Sequence, residues 1–341
     1  MEKIRFLDEQ GTFSLAQPEN YSNLYFPVAN ELGLKGALTP NFGGDCKLDQ
    51  NTFLLEPVSV ENLHNNRGVR NFWVGTENAF WSAVGASAAQ EAQRFTPAQE
   101  DSTLTAGFMW QRVRRSSAAL GLTAEVLCFV PPERRLEVFS VTLENTGSAP
   151  LRISPTAAIP IYGRSADNLR DHRHVTSLLH RIETTEHGVL VKPTLSFDER
   201  GHRKNDVTYF VCGIEGDGAC PVGYYPTVED FIGQGGTLTH PRALLQGQPP
   251  VPAGRHLAGK EALGGIAFAA RTLAPGERVR YTVLLGATTE PEEIRQSLEA
   301  FATEKQVLAA LRATQQFWDA RVNVRYCTGD GRFDQYLRWI S

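Results

Sequence analysis

Residues 162–181 concentrate side chains that bind anions and hydroxyl groups. The segment reads YGRSADNLRDHRHVTSLLHR. Arginine guanidinium groups donate paired hydrogen bonds to carboxylates, phosphates or hydroxyls, and aspartate and asparagine bind the same hydroxyls. We therefore expect this segment to bind a hydroxyl-rich or anionic ligand. The candidate binding residues are Arg164, Asn168, Arg170, Asp171, His172, Arg173 and His174.

The two neighbouring histidines of this segment raise the question of a metal site. His172 and His174 would share one face of a strand. A cupin-like site also needs a glutamate shortly afterwards and a third histidine farther on, but Glu183 is too distant and His180 has the wrong spacing. We expect no metal. A polar strand or loop at a domain interface is the alternative to a ligand site.

A second polar region, residues 25–74, mixes carboxylates, basic groups and aromatics without periodicity. Sugar sites use these types, because carboxylates and amides bind hydroxyls while an aromatic ring covers the apolar face of a pyranose. For each single residue, however, a structured loop that satisfies its own backbone is the preferred interpretation. The residues concerned are Asp45, Asp49, His64, Arg67, Arg70 and Trp73.

No complete active site is visible in the sequence. There is no GxGxxG after a strand, no Walker loop and no GxSxG elbow. No two carboxylates can be assigned as acid and base from spacing alone, so we assign no catalytic residue and expect no cofactor.

Strands of alternating polarity must position these groups. In residues 122–130, Leu122, Val126 and Cys128 share one face of a strand. In residues 279–285, the alternate residues that begin with Val279 likewise form one apolar face. The turns after Asn145 and around 274–277 are expected to close β-hairpins, and such short connections leave no room for crossover helices. The sequence therefore predicts an all-β fold with antiparallel sheets over residues 1–288.

Residues 289–341 change to a helical pattern. Thr289 with Glu292, and Thr303 with Gln306, have the spacing of a capping box. An apolar stripe then recurs at helical spacing, and a last helix ends near Ser341. We expect these to be linker helices that lead into a further domain. The stripe residues are Leu308, Leu311, Gln315, Trp318 and Val322.

Composition excludes several classes of protein. The 341 residues are 41% hydrophobic and carry a net charge of −4 without long charged blocks, which disfavours a nucleic-acid or membrane partner. No stretch approaches the roughly 20 apolar residues of a membrane span. The five cysteines are sparse and odd in number, which favours reduced thiols and a cytoplasmic location.

The chain resembles the N-terminal domain of cellobiose-phosphorylase-like enzymes, glycoside hydrolase family 94, formerly glycosyltransferase family 36. The resemblance rests on FPVANE, LHNNR, the run LEVFSVTLENTGSAPLRISPTAAIPIYGR and RDHRH, and extends along most of the chain. Within the family, the quoted runs favour a resemblance to the β-1,2-oligoglucan phosphorylase branch. The implied fold is a galactose-mutarotase-like β-supersandwich followed by linker helices.

The resemblance also implies a function. In that family a helical barrel carries the catalytic aspartate, and inorganic phosphate replaces water as the nucleophile and inverts the anomeric carbon. Residues 1–341 contain no counterpart of this barrel, so we expect a non-catalytic domain that shapes the substrate site and the oligomer interface. The implied partners are the barrel of the same polypeptide, a carbohydrate and a second copy in a homodimer.

Two other functions stay open at this stage. One is a free-standing aldose-epimerase-like enzyme, which would need a histidine acid and a carboxylate base such as Asp171 with His172 or His174. The other is a stand-alone carbohydrate-binding module. An assay of anomer interconversion separates the first from the rest, and calorimetric titration with sugars tests the second.

Overall fold

The computed structural model describes residues 4–341 except 22–23, 60–67, 78 and 199–200, and leaves the side chains of 170, 197 and 198 undescribed. The strands, in chain order, are β1 (Ile4–Phe6), β2 (Phe13–Ala16), β3 (Phe26–Ala29), β4 (Lys35–Leu38), β5 (Cys46–Asp49), β6 (Thr52–Leu55), β7 (Asn71–Gly75), β8 (Phe80–Ser82), β9 (Asp101–Gly107), β10 (Trp110–Ser117), β11 (Leu122–Phe129), β12 (Leu136–Asn145), β13 (Leu151–Ile161), β14 (Arg181–Thr184), β15 (Gly188–Val191), β16 (Leu195–Asp198), β17 (Gly201–Lys204), β18 (Thr208–Glu215), β19 (Gly223–Thr227), β20 (His256–Ala258), β21 (Ala262–Ala267), β22 (Arg271–Leu273) and β23 (Arg278–Thr288). The helices are α1 (Ala88–Gln93), α2 (Arg173–Ser177), α3 (Val228–Ile232), α4 (Arg242–Leu245), α5 (Glu292–Ala300), α6 (Glu304–Arg321) and α7 (Gly331–Trp339), with 3-10 turns at Pro18–Asn20 and Ala166–Arg170.

Two large antiparallel sheets face each other. Within the described residues, the larger sheet has eleven strands in the order β1-β2-β9-β10-β11-β12-β23-β18-β15-β14-β20. The smaller has the order β19-β21-β13-β7-β8, with β22 also paired to β13. Strands β3 to β6 form a separate sheet of four. The prediction of an all-β supersandwich followed by C-terminal helices is confirmed.

The core lies between the two large sheets, where alternation along the strands directs the apolar side chains inward. Leu122, Val126 and Cys128 of β11 are fully buried there, as their spacing predicted. Aromatic rings join the two sheets, because Phe72 of β7 lies 5.3 Å from Tyr281 of β23 between ring centroids. The outer face of the smaller sheet is covered by α3 and α4.

The turns after Asn145 and around 274–277 were expected to close hairpins, and that expectation is wrong. Strand β12 pairs with β11 and β23 in the larger sheet, whereas β13 and β22 lie in the smaller one. Both turns therefore cross between sheets. The Asn145 side-chain amide donates to the carbonyls of Ala149 and Leu273, at 2.8 and 2.9 Å, and so fixes the two crossings to each other.

Helices α5 and α6 pack on the outer face of the larger sheet. Ile294, Phe301 and Leu311 are buried there against residues of β11, β12 and β18. The capping box at Thr303 and Gln306 is present, but α5 begins after Pro291 and has no side-chain cap from Thr289. The packed face of α6 is Val307, Leu311 and Thr314, so the buried stripe is rotated from the predicted one.

The candidate residues of 25–74 were expected to lie in a long structured loop, but the described ones lie in or beside strands β5 and β7, where they make structural contacts. Arg70 is fully buried against Glu137, and Trp73 packs under α3. The Asp45 carboxylate accepts from the Ala37 amide at 3.0 Å, and that of Asp49 accepts from the amide of residue 51. His64 and Arg67 lie outside the described residues. No helix in the described residues has the length and apolar character needed to cross a membrane.

Candidate functional site

Strand β13 and the segment after it form the floor of the candidate site. Backbone bonds between Arg164 and Phe53 hold this segment to β6, and the Ala166 amide donates to the carbonyl of Gln50 at 2.9 Å. The remaining candidate residues lie on the 3-10 turn Ala166–Arg170, on helix α2 and between them. Because Arg164 lies three residues after the end of β13 and its backbone is bridged to Phe53, its side chain starts from a fixed backbone position.

Arg164 lines a small pocket with Glu56, Tyr162, Arg173 and Glu261, which we call the Arg164 pocket. Its volume is about 30 Å³, enough for one or two waters or a ligand hydroxyl. The Arg164 side chain is 7% exposed, and its guanidinium carbon lies 5.0 Å from the centroid of the Tyr162 ring. Among the described residues nothing accepts a hydrogen bond from its Nε. A buried donor without a partner is costly, so this atom indicates a place for a ligand oxygen.

Charges of both signs surround this pocket. Arg173 is ion-paired with Glu56, and its Nη1 lies 3.9 Å from Oε1 of Glu261. Burial lowers the pKa of Arg164 below its ordinary value, although an arginine stays charged in proteins. Burial also raises the pKa of Tyr162 to about 12, so its hydroxyl remains protonated at neutral pH.

The pocket borders a larger groove between α2 and α3, the α2–α3 groove, with Val228 and Glu261 common to both. The groove has a volume of about 680 Å³, within the range of roughly 300–1,000 Å³ typical of ligand sites. Its walls carry polar groups of several kinds that can bind hydroxyls. The polar lining residues are His174, Ser177, Glu229, Asp230, Gln234, Gln248, Lys260 and Glu261.

The seven predicted binding residues do not all meet at one point. Arg164 and Arg173 line the Arg164 pocket, and His174 lines the groove. Asn168 is buried and donates to Asp171 at 2.8 Å, so these two bind each other.

The other two predicted residues stand apart from the pocket. The exposed ring of His172 lies 5.2 Å from that of His174, and the Arg170 side chain lies outside the described residues. Among the predicted binding residues whose side chains the structure describes, Arg164 and Asn168 are buried, whereas Asp171, His172 and His174 are exposed. Among the described residues no cluster of histidine, cysteine and carboxylate groups is suited to hold a metal.

Sequence reasoning missed Glu56 and Glu261. Each stands beside an apolar strand, Glu56 just after β6 and Glu261 just before β21. A carboxylate at the end of a buried strand is only weak evidence of a binding site, since most carboxylates face solvent. Only the fold brings Glu56 to Arg173, which is 117 residues away in the chain.

His180, at the end of the same segment, should make stability fall as the pH is lowered. Burial, and then the charge of Arg164, lowers its pKa from 6.5 to about 3. Between these values the unfolded chain binds a proton that the folded chain does not, so the free energy of unfolding falls by up to about 1.4 kcal/mol per pH unit below 6.5. His180→Asn removes the titrating ring, and its amide can donate to the Lys260 carbonyl, which now accepts from Nδ1 at 3.2 Å. In this variant, the free energy of unfolding measured in urea should change less steeply with pH between 6.5 and 5 than it does in the parent protein.

The exposed His256 of β20 provides the control for this measurement. His256→Asn should leave the pH slope of the parent protein unchanged. An equal flattening in both variants, or none in His180→Asn, contradicts the assignment to His180.

Comparison with known proteins gives one family match. Residues 49–304 match the profile of the glycosyl hydrolase 94 supersandwich domain. A bacterial glucoamylase solved with acarbose has a TM-score of 0.53 at 8% identity, over 89% of this chain and 37% of that one. This likeness shows the fold alone. No curated protein matches.

Two further solved structures are similar at lower scores. A candidate kojibiose phosphorylase from the human microbiome has a TM-score of 0.42 at 6% identity, over 93% of this chain and 38% of that one. A GalM/aldose epimerase homologue from C. elegans has a TM-score of 0.42 at 11% identity, over 78% and 98%. The chain thus spans well under half of the glucoamylase and of the phosphorylase-like protein.

Proposed function

Because the chain belongs to glycoside hydrolase family 94 through its supersandwich domain, we propose that it is the non-catalytic domain of a glycoside phosphorylase. In this proposal a helical barrel of the same polypeptide performs inverting phosphorolysis of a β-glucoside or β-gluco-oligosaccharide, with inorganic phosphate as co-substrate. β-1,2-linked glucans are the first substrates to test. The domain shapes the substrate site and contributes to a homodimer interface in the cytoplasm.

The observation that carries the site assignment is the unpartnered Nε of buried Arg164. A guanidinium can donate to a sugar hydroxyl or a phosphate oxygen that enters the Arg164 pocket. The bordering groove has enough volume for more than one sugar ring. Most of its side chains are uncharged or form ion pairs, as Lys260 does with Glu229. Such a surface favours a hydroxyl-rich ligand with at most a local negative charge.

The first test is phosphorolysis by the complete protein that carries this domain, with Arg164→Lys. Lysine keeps the positive charge but loses the planar fork and the Nε donor. We expect kcat/KM for β-1,2-linked gluco-oligosaccharides or for phosphate to fall about ten-fold or more, equivalent to about 1.4 kcal/mol of transition-state binding. The melting temperature should change little. His174→Ala, at the exposed wall of the groove, is a second variant with less risk to folding.

Arg152→Lys is the matched control, because Arg152 is an exposed arginine on β13, the strand that precedes Arg164. It should keep the parent kinetics. The 341-residue chain alone should form no sugar 1-phosphate above a mock preparation. Loss of stability with unchanged kinetics in both site variants would make the segment structural. Product from the chain alone would overturn the non-catalytic role.

A further inference from the structure

A separate pocket lies between the N-terminal hairpin β1–β2, the β9–β10 turn and helix α6. We call it the α6 pocket. Its volume is about 220 Å³, below the roughly 300–1,000 Å³ of sites for larger ligands, so it suits one small ring. It has no lining residue in common with the α2–α3 groove. Its principal lining residues are Asp8, Phe108, Trp110, Gln315, Gln316 and Asp319.

The walls combine an apolar face with amide groups. Trp110 is buried, and Phe108 beside it is half-buried. Gly107 makes room for the indole, because a Cβ there would lie 2.4 Å from Nε1 of Trp110. In the described part of the chain no protein group is hydrogen-bonded to the amide side chains of Gln315 and Gln316. Aromatic carbon and free amides together match the apolar face and the hydroxyls of a sugar ring.

The charges of the pocket favour a neutral ligand. Asp319 is ion-paired with Arg338, and Oδ1 of Asp8 accepts from the amides of Gln10 and Thr12, each at 2.9 Å. Each carboxylate keeps a second oxygen that can accept from a hydroxyl. An anion would be repelled by the two carboxylates, and a cation would compete with Arg338 for one of them.

The pocket is built from segments that are fixed to one another. Arg338 of α7 is 3% exposed, and its Nη1 donates to the carbonyl of Glu9 at 2.6 Å. The indole N–H of Trp339 donates to the Gly11 carbonyl at 2.8 Å, and its ring lies 4.7 Å from that of Phe108. Helix α7 thus holds the N-terminal hairpin and the β9–β10 turn in place, which lowers the ordering cost of binding.

From these observations we propose that the α6 pocket binds a single neutral pyranose unit. The apolar face of the ring lies on Phe108 and Trp110, and its hydroxyls bond to Gln315, Gln316 and the free carboxylate oxygens. This is a sugar site separate from the α2–α3 groove, and it stands whether or not the groove serves phosphorolysis.

Titration of the 341-residue chain by ligand-observed NMR tests the proposal, with D-glucose, D-galactose and D-mannose as probes. At least one of these should saturate with a Kd on the order of millimolar, as expected for a ligand of this size. Phe108→Ala and Gln315→Ala should each weaken that binding about ten-fold. Gly107→Ala should weaken it as well, because the new methyl group displaces the indole of Trp110.

A matched control locates the binding. Gln296→Ala on the exposed side of α5 should leave the affinity unchanged. Preferential binding of choline or glucuronate over all three sugars would overturn the assignment of a neutral ring. So would the absence of saturation by any hexose, or an unchanged Kd in Gln315→Ala with the fold intact.

Discussion

Replacing Arg70 with methionine should lower the free energy of unfolding by about 3–5 kcal/mol. Arg70 and Glu137 are both 0% exposed, and two guanidinium nitrogens donate to the two carboxylate oxygens, with Nη2 to Oε2 at 2.8 Å. The same guanidinium donates to the carbonyl of Asp45 at 2.9 Å. The Cys128 thiol adds a bond to Glu137 at 3.1 Å. The variant leaves a buried carboxylate without its counter-charge, which accounts for the size of the loss.

Equilibrium unfolding in urea measures this loss. Two further variants test whether the loss comes from the buried Arg70–Glu137 pair. Arg70→Met with Glu137→Leu removes both charges and should recover much of the stability, because a buried pair replaced by apolar groups is often neutral. Arg278→Met breaks the exposed pair with Glu144, where Arg278 is 67% exposed, and should cost less than about 1 kcal/mol. A loss of similar size in Arg70→Met and Arg278→Met would contradict the role given to the buried pair.

Phe301→Ala should cost a comparable amount, about 3–5 kcal/mol, and should loosen helices α5 and α6. Phe301 is 2% exposed and packs in the cluster that joins these helices to the larger sheet. In the parent protein the amides of α6 should therefore exchange slowly, as in the central strands. In the variant, exchange over residues 304–321 should accelerate more than exchange in β11 and β12.

Phe333→Ala on α7 is the matched control, since that ring is 50% exposed. It should leave both stability and the exchange of α6 close to those of the parent. Fast exchange throughout 292–321 in the parent protein would mean that the helices do not stay on the sheet. The boundary predicted at residue 288 would then separate two independent parts.

Much of the fold could be predicted because side-chain alternation fixes which face of a strand is buried. This is why Leu122 and Val126 were placed correctly. Alternation does not say which strand is the neighbour, so the crossings after Asn145 and around 274–277 were taken for hairpins. Similarly, Thr303 and Gln306 have the correct local capping spacing, whereas the start of α5 is set by Pro291 and by packing on the sheet.

The candidate site was predicted only in part, for a physical reason. Local sequence identified Arg164 and Arg173 as groups able to bind an anion or hydroxyl. It could not identify Glu56 and Glu261, since their proximity depends on strand pairing between distant segments. The local sequence also could not distinguish Asn168, which is hydrogen-bonded to Asp171, from the residues that face the pocket.

The position of β23 has a consequence for synthesis of the chain on the ribosome. Strand β23 lies between β12 and β18. It therefore joins the part of the larger sheet that runs from β1 to β12 to the part that contains β18, β15, β14 and β20. Until residues 278–288 leave the exit tunnel, both parts present an unpaired edge, at β12 and at β18. Such edges pair readily with other chains. We therefore expect the nascent chain to be most prone to pairing with other chains before β23 is inserted.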